Sequence, residues 1–530
     1  MDWFTTVDAL VRARAQDDRP GLLFEGRSWT WAEHTAEAAA RAAWYTGQRP
    51  ADGPPHIGVL LENVPEYSFW LAAAALGRFV LVGLNATRRG EGLLEDVRAT
   101  ACHLVLTDRP ELFEGVGIPV ADPHEIAYAT ADLPSGTAET ADLYLLIFTS
   151  GTTGSPKAVK CSQGKIATQG LGLVERVGLG PQDIAYVSMP LFHSNAVIAG
   201  WSPSLAVGAT IALRRKFSAS SFVADCRAVG ATYANYVGTP LSYVLAQPER
   251  PDDADNALVR VFGNEGAPAD LERFATRFGC QVLDGFGSTE GGISISRVEG
   301  TPRGSLGRAV GDVRVLDSAT GQEKAAAVFD GQGRLVNADE AVGELVNLDG
   351  PFAFEGYWDA PEDTAQRTRD GRYWSGDLGY RDAEGFLYFA GRSLDRLRVG
   401  GENFPAAPVA RVLARHPGVV EACVYAVPDA TAGDQLMAAV VPAEGFDPSG
   451  FAAWVADQPD ASPTWVPRYL RVGVDLPRTA TGKLVVRALA VQRWEADGIW
   501  VRDGSRMRPL TAEDRADLAK AFAASGRPLA

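Results

Sequence analysis

The sequence predicts an α/β protein with a large first domain of covered, mostly parallel sheets, a β-rich subdomain, and a smaller second domain. Three observations predict it. The chain has 530 residues, well past the roughly 250–300 at which one hydrophobic core stops growing. From about residue 56, short continuous apolar runs alternate with helical patterns, as strands do when crossover helices cover both faces of a parallel sheet. The text then becomes β-rich and turn-rich from residue 340, and a second α/β pattern starts after Arg392.

The elements follow in order. His56-Ile57-Gly58-Val59-Leu60-Leu61 reads as a buried strand, and Pro65 opens a helix at its first turn, where the missing N–H costs nothing. The most apolar stretch, Phe69 to Leu84, is broken by Arg78 and too short to span a bilayer comfortably. It reads as a buried helix followed by the strand Val80-Leu81-Val82. A helical pattern starts at Leu93, and strands continue at Val105-Leu106, 143–148, 184–189, 209–213, 232–237, 259–262 and 281–283. Further on, Asp382-Ala383-Glu384-Gly385 sits between two apolar runs and has the composition of a hairpin turn. The last pattern holds a helix near 407–416, strands near 419–427 and 435–442, a helix near 449–457, a strand near 468–474 and a helix from Leu484. The boundary falls at 391–396, leaving domains 1–391 and 397–530 around a hinge at 392–396. About 135 residues for the second segment is an ordinary domain size.

Composition narrows the function classes. Hydrophobic residues make up 46% and charged residues 22%, an ordinary globular balance. A formal net charge of −16 argues against a broad nucleic-acid surface, though not against a local basic groove. Cys102, Cys161, Cys226, Cys280 and Cys423 stand singly without CxxC spacing, which points to buried thiols in a reducing compartment. Met1-Asp2-Trp3-Phe4 lacks a basic region followed by an apolar run, so no signal peptide is expected. A cytoplasmic protein with no membrane span is the expectation; peripheral membrane contact, and monomer against homodimer, stay open.

The strongest local signal is Thr149-Ser150-Gly151-Thr152-Thr153-Gly154-Ser155-Pro156-Lys157, directly after the strand Leu145-Leu146-Ile147-Phe148. Two glycines let the backbone turn N–H groups toward one point, and five hydroxyls and an ammonium surround it. Such a loop suits a triphosphate. It is not a Walker loop, because Pro156 stands where the second glycine belongs. Composition alone fits a solvated turn equally well.

The stretch resembles the phosphate loop of the adenylate-forming (AMP-binding) superfamily. Asp284-Gly285-Phe286-Gly287-Ser288-Thr289-Glu290 resembles that family's aromatic-Gly-x-Thr-Glu element, and Tyr373-Trp374-Ser375-Gly376-Asp377 its Trp-x-x-Gly-Asp element. Gly391-Arg392 resembles the hinge entry, and Pro477-Arg478-Thr479-Ala480-Thr481-Gly482-Lys483 the C-terminal lysine loop. The resemblance implies a small mobile α+β lid on a large N-terminal domain, with ATP, Mg²⁺ and coenzyme A as cofactor and co-substrates. It implies a carboxylic acid as substrate, activated by in-line attack on the α-phosphorus with release of pyrophosphate. Catalysis of this kind rests on positioning and electrostatics.

Roles follow residue by residue. Thr149 and the loop Ser150, Gly151, Thr152, Thr153, Gly154 and Lys157 are expected to grip phosphates. Glu290 is expected to hold Mg²⁺, a hard cation suited to oxygen ligands. Asn264, Asp284, Gly285, Gly287, Ser288 and Thr289 are expected around the nucleotide, with Phe286 stacked on adenine. Asp377 is expected to accept both ribose hydroxyls, and Arg392 to reach ribose or α-phosphate with its planar fork. Gly400 and Gly401 complete the nucleotide set, and Lys483 is expected to place its charge on the transferring phosphate. As ordinary residues, Glu290 would be a surface carboxylate, Asp377 a turn residue and Lys483 a solvated lysine.

Branch signals are weaker. Amino-acid-activating relatives carry an acidic residue near Met189-Pro190-Leu191-Phe192-His193-Ser194-Asn195, where His193 stands here, so an amino acid would lose its counter-ion. His193 is expected to gate the acyl pocket or contact the carboxylate, against the alternative of a neutral core histidine. Phe192, Asn195, Val237, Gly238 and Asn264 are candidate pocket walls. Arg214 to Ser220, Val261 to Asn264, Arg392 to Arg398 and Gly400-Gly401-Glu402-Asn403 are similar to the fatty-acid-transport-protein, or very-long-chain acyl-CoA synthetase, branch. That implies a long apolar acid, fatty or sterol-derived. Two departures stand out: Leu394 replaces a charged hinge residue, and the text after Asn403 runs one residue short where pantetheine is expected. Open alternatives are a carrier protein or an amine as acceptor, and a binding protein without catalysis.

Overall fold

The computed structural model describes residues 5–525 except 87, 89, 150–155, 238–239, 265, 267, 332–334, 393–395, 400–401, 430–433, 459–460, 462, 475 and 479–483. The chain forms two compact units. One runs to Asp312 and adds Asn347–Tyr373; the other comprises Val313–Val346 and Trp374 onward.

The first unit is built on two sheets. In the six-stranded sheet the order is Val120–Ala121, Leu104–Thr107, His56–Leu60, Val80–Gly83, Leu143–Thr149 and Lys157–Ser162. Neighbours are parallel except the last pair. His56–Leu60 and Val80–Gly83 are buried at every position, which is why they read as continuous apolar runs. Helix Pro65–Gly77 starts with Pro65 and is buried from Glu66 to Leu76, so its apolar surface runs all round.

The nine-stranded sheet runs Arg308–Ala309, Ser294–Ser296, Gln281–Gly287, Arg260–Asn264, Tyr233–Val237, Ile184–Val187, Thr210–Leu213, Pro20–Phe24 and Arg27–Thr30. Its centre is parallel and its two ends are antiparallel. Helices Phe222–Val229 and Pro268–Phe278 supply Phe222, Cys226, Phe274 and Phe278 to a core that meets Tyr186, Ala234, Tyr236 and Val261 of the strands. The strand-helix alternation from residue 56 to 287 matches the expectation. The N-terminal elements Val7–Arg12, Pro20–Phe24, Arg27–Thr30 and Trp31–Thr46 are additions to it. The last of these starts in a capping box, with Thr30 Oγ1 taking the Glu33 N–H and Glu33 taking that of Thr30.

The second unit holds a four-stranded sheet in the order Val313–Leu316, Gly343–Asn347, Tyr373–Arg381 and Leu387–Arg392, with Asp382–Gly385 at the expected hairpin turn. It also holds a seven-stranded sheet, in which Arg396–Val399, Asp434–Pro442 and Tyr469–Val472 run in sequence and Val419–Pro428 pairs with Asp434–Pro442. Strands Ile499–Asp503 and Arg506–Pro509 extend that sheet beyond the expected elements. By packing, then, residues 313–346 and 374–391 go with the C-terminal residues. Residues 393–395 of the expected hinge lie outside the described residues. Among the described residues, no helix is long and apolar enough to cross a membrane.

Candidate active site

The glycine-and-hydroxyl loop is closed at its base by a sheet. Thr149 ends one strand and lies opposite Lys157, the first residue of the antiparallel neighbour. Ser150, Gly151, Thr152, Thr153 and Gly154 lie outside the described residues. Lys157 Nζ is ion-paired with Asp363 and sits 5.5 Å from the centroid of the Tyr357 ring.

Residues 356–358 lie against this exit strand. Val159 and Tyr357 form an antiparallel bridge, the Lys160 N–H donates to Gly356 O at 3.0 Å, and the Trp358 N–H donates to Ala158 O at 2.8 Å. The Tyr357 hydroxyl then donates to Glu290 Oε1 at 3.0 Å. Burial foremost, then the Glu290 charge, pushes the Tyr357 phenol well above its ordinary range. Burial pulls the Arg367 guanidinium down, but Tyr357, Tyr373 and Glu290 around it more than compensate, so it sits above its ordinary value.

Glu290 follows the strand Gln281–Gly287, and a buried lysine holds it in place. Lys165 Nζ donates to Thr289 O and Glu290 O at 3.1 Å each and to Lys160 O at 3.4 Å. The Thr289 hydroxyl lies 2.7 Å from Ser194 Oγ. The loop of the aromatic-Gly-x-Thr-Glu element is thereby tied to the His193-Ser194-Asn195 segment.

Within the strand, Asp284 Oδ2 accepts from the Tyr236 hydroxyl at 2.6 Å and from the Gly266 N–H at 3.0 Å. Asn264 Nδ2 donates to Gly285 O at 2.7 Å. Gly285 lies under an arginine: a Cβ there would stand 2.8 Å from Arg176 Nη2, so a larger residue would push the guanidinium aside. The Arg176 guanidinium lies 4.9 Å from the Phe262 ring centroid, and burial, partly offset by Asp284, lowers its pKa. Phe286 is half-buried opposite Ile295, and Gly287 and Ser288 are exposed at the strand end.

His193 is half-buried, its ring 4.4 Å from that of Phe192, and Phe192 is buried. A Cβ at Gly83 would meet the Phe192 backbone at 3.1 Å, so glycine there lets this segment sit on the six-stranded sheet. Asn63 pins the approach, donating to Met189 O and accepting from the Leu191 N–H, both at 2.8 Å. Asn195 donates to Tyr236 O at 2.9 Å and accepts from Asn235 at 2.7 Å. A π-helical turn, Val197–Trp201, follows, a rare conformation that concentrates near functional sites. Val237 and Asn264 are ladder partners; Gly238 lies outside the described residues.

In the second unit Asp377 is buried and lies opposite Arg392 in the ladder between Tyr373–Arg381 and Leu387–Arg392. Its N–H donates to Ser375 Oγ at 3.0 Å, and the Gly376 N–H donates to Glu344 Oε1 at 2.7 Å. Lys483, Gly400 and Gly401 lie outside the described residues. The ends of the lysine loop are joined by an isolated bridge between Arg478 and Leu484.

The first unit thus brings together Lys157, Glu290, Thr289, Asp284 and their supports. No described group of three or more His, Cys, Asp or Glu residues makes a metal cage. A single carboxylate such as Glu290, which keeps acceptor capacity beyond one tyrosine hydroxyl, instead fits Mg²⁺ shared with substrate phosphates. Sequence reasoning did not single out Lys165, Tyr357, Asp363, Arg367, Arg176 or Tyr236. Each is one polar residue in ordinary helix, strand or loop text, with no spacing to mark it.

Residues 10–358 match the family described as AMP-binding enzyme, and residues 409–483 match the AMP-binding enzyme C-terminal domain. The chain is 48% identical over 511 residues to the medium/long-chain-fatty-acid–CoA ligase FadD17 of Mycobacterium marinum, covering 94% of this chain and 99% of that one. It is 44% identical over 545 residues to steroid-22-oyl-CoA synthetase of Rhodococcus jostii, covering 99% and 98%. Among solved structures it is similar to o-succinylbenzoate CoA synthetase of Bacillus subtilis in complex with its acyl-adenylate, with TM-score 0.75, 25% identity and coverage of 91% and 97%. ATP-bound MatB of Rhodopseudomonas palustris shares the fold, with TM-score 0.77, 23% identity and coverage of 92% and 98%.

Proposed function

Because the chain belongs to the AMP-binding enzyme family, we propose that it is an AMP-forming acyl-CoA synthetase acting on a medium- to long-chain fatty acid or a steroid side-chain acid. The observation that carries this is near-full-length similarity to two CoA ligases of such acids. Relatives named as CoA ligases favour coenzyme A over a carrier protein or an amine as acceptor.

The first half-reaction joins the substrate carboxylate to the α-phosphorus of ATP, and pyrophosphate leaves with the bonding electrons. In the second, the coenzyme A thiol displaces AMP from the acyl carbon. Lys157 offers an ammonium to the phosphates, and Glu290 would hold Mg²⁺, which neutralises phosphate charge when bound. Lys165, Tyr357 and Ser194 fix where Glu290 and Thr289 stand, so this part of the site need not reorganise as charge develops. Thr149 borders the phosphate loop, and Phe286, Asp377, Arg392, Gly400 and Gly401 are assigned to nucleotide binding. Asp284 has a further duty, since its carboxylate ties its strand to Tyr236 on the strand Tyr233–Val237 and to Gly266 in the loop after Asn264. His193, Phe192 and Asn195 are assigned to the acyl pocket, and Lys483 to the transferring phosphate from a lid that turns at 392–396. A cytoplasmic location accords with five free, buried cysteines; recovery with the membrane fraction on cell fractionation would overturn it.

The test is acid-dependent pyrophosphate release, followed by mass detection of the CoA thioester. Fatty and steroid acids should support both, and silence across fatty, aromatic and steroid acids would overturn the reading. In the same assay Lys483→Ala should lose adenylate formation while keeping thioester formation from supplied acyl-adenylate. Equal loss of both steps would reject the role given to Lys483.

A further inference from the structure

We propose that Asp363 is a positioning residue that acts through Lys157: it holds the lysine ammonium until a phosphate arrives, yields it, and reclaims it when pyrophosphate departs. The inference rests on the adenylating function proposed above.

Three observations support it. Lys157 is anchored at its backbone, opposite Thr149, so only its side chain is left to choose a partner. That side chain is on Asp363, with 17% and 31% of the two side chains exposed. Such a pair is worth about 0–1 kcal/mol, so it exchanges cheaply for a phosphate of higher charge. The contrast within the same unit is Arg41–Glu66, where both side chains are only 5–6% exposed at 2.5 Å. Breaking that pair would strand buried charges.

The third observation is that Asp363 is held independently of Lys157. It lies on helix Pro361–Arg367, whose Thr364 Oγ1 accepts the Tyr357 N–H at 2.9 Å and donates to Ala360 O at 2.9 Å. Tyr357 in turn is bonded to Glu290 at 3.0 Å and bridged to Val159. When Lys157 moves to a phosphate, the carboxylate therefore stays behind without its counter-ion, and the lost pairing is what the phosphate has to offset. The consequence is a phosphate site that binds less tightly than its lysine alone would allow and lets pyrophosphate leave sooner.

The experiment is calorimetric titration of the full chain with inorganic pyrophosphate and, separately, with ATP. Asp363→Asn keeps shape and removes charge, so it should bind pyrophosphate about fivefold more tightly than wild type at low salt, with a smaller gap at high salt. Asp363→Glu should restore the wild-type value. In a Lys157→Ala background the Asp363→Asn gain should vanish. The proposal is overturned if Asp363→Asn binds pyrophosphate no more tightly, whether or not its thermal stability changes. It is also overturned if the gain survives without Lys157. Wild-type turnover with an unchanged Asp363→Asn affinity would reject this inference and leave the proposed function standing. Wild-type protein that binds neither ATP nor pyrophosphate would reject both.

Discussion

At the scale of single residues, the carboxylate that sequence marks is held by residues that sequence does not mark. Lys165 is 6% exposed and spends its three donors on the carbonyls of Lys160, Thr289 and Glu290. Its ammonium is solvated by backbone, which fixes the path of the Thr289-Glu290 turn. Lys165→Met keeps the aliphatic stem and leaves buried carbonyls unpaired, at a cost of about 1–3 kcal/mol. Because two of them belong to Glu290 and its neighbour, acid-dependent pyrophosphate release should fall about ten- to a hundredfold. Thermal melting and single-turnover kinetics check this; a lower melting temperature with unchanged kinetics would confine Lys165 to folding. The same residues show what was legible. Glu290, Asp284 and Lys157 sit in short elements whose spacing is constrained by a phosphate. Lys165, Tyr357 and Asp363 meet them from 67 to 206 positions away in the chain, and such meetings are made by the fold rather than by local pattern.

At the scale of elements, the acyl-side segment is positioned by a close helix crossing. Helix Gln163–Val177 passes over Ser202–Val207 at Gly170, where an added Cβ would meet Ser202 Cβ at 3.0 Å and its carbonyl carbon at 3.1 Å. The Ser202 hydroxyl donates to Ile166 O at 3.0 Å across the same crossing. Gly170→Val should destabilise the protein by about 1–3 kcal/mol, as overpacking does. It should also raise the KM for the acid more than that for ATP, because the displaced helix continues from the π turn and His193-Ser194-Asn195. Denaturant melts and the two KM values check it; equal shifts would mean the crossing serves stability alone. The central strands were readable because burial on both faces leaves a continuous apolar run, as in His56–Leu60. The N-terminal pair Pro20–Phe24 and Arg27–Thr30 is short and half-exposed at the sheet end, so its apolar signal is diluted. The π turn differs from a helix only by one carbonyl in register, which no side-chain period announces.

At the scale of the whole molecule, acid is where buried polar groups add up. The formal charge is −16 and there are six histidines; burial lowers the pKa of His34, His56, His103 and His416. His34 is the extreme case. It is enclosed by Trp31 and Phe69 at ring distances of 5.3 and 5.1 Å, and burial, with Arg41 nearby, takes it from 6.5 to about 3. Below its unfolded value the unfolded chain takes up a proton that the folded chain refuses. The stability His34 contributes is therefore complete above pH 6.5 and is lost as pH falls toward 3, by about 1.4 kcal/mol per pH unit. Asp96 acts in the opposite sense: burial, outweighing Arg88, lifts its carboxyl from 3.8 to about 6. The folded state then holds a proton the unfolded state has released, and Asp96 adds stability as pH falls from 6 toward 3.8. His34 also matters by location, since its Nε2 lies 2.8 Å from Ser68 Oγ, which accepts from Trp201 Nε1 at 2.9 Å. Trp201 closes the π turn beyond His193, so a charged His34 would loosen the acyl-side segment as well as the core. His34→Gln keeps a polar group toward Ser68 and removes the titration. The variant should be less stable than wild type at pH 7, yet lose less melting temperature between pH 7 and pH 5. Parallel melting curves for the two proteins across that range would show that acid enters the molecule elsewhere.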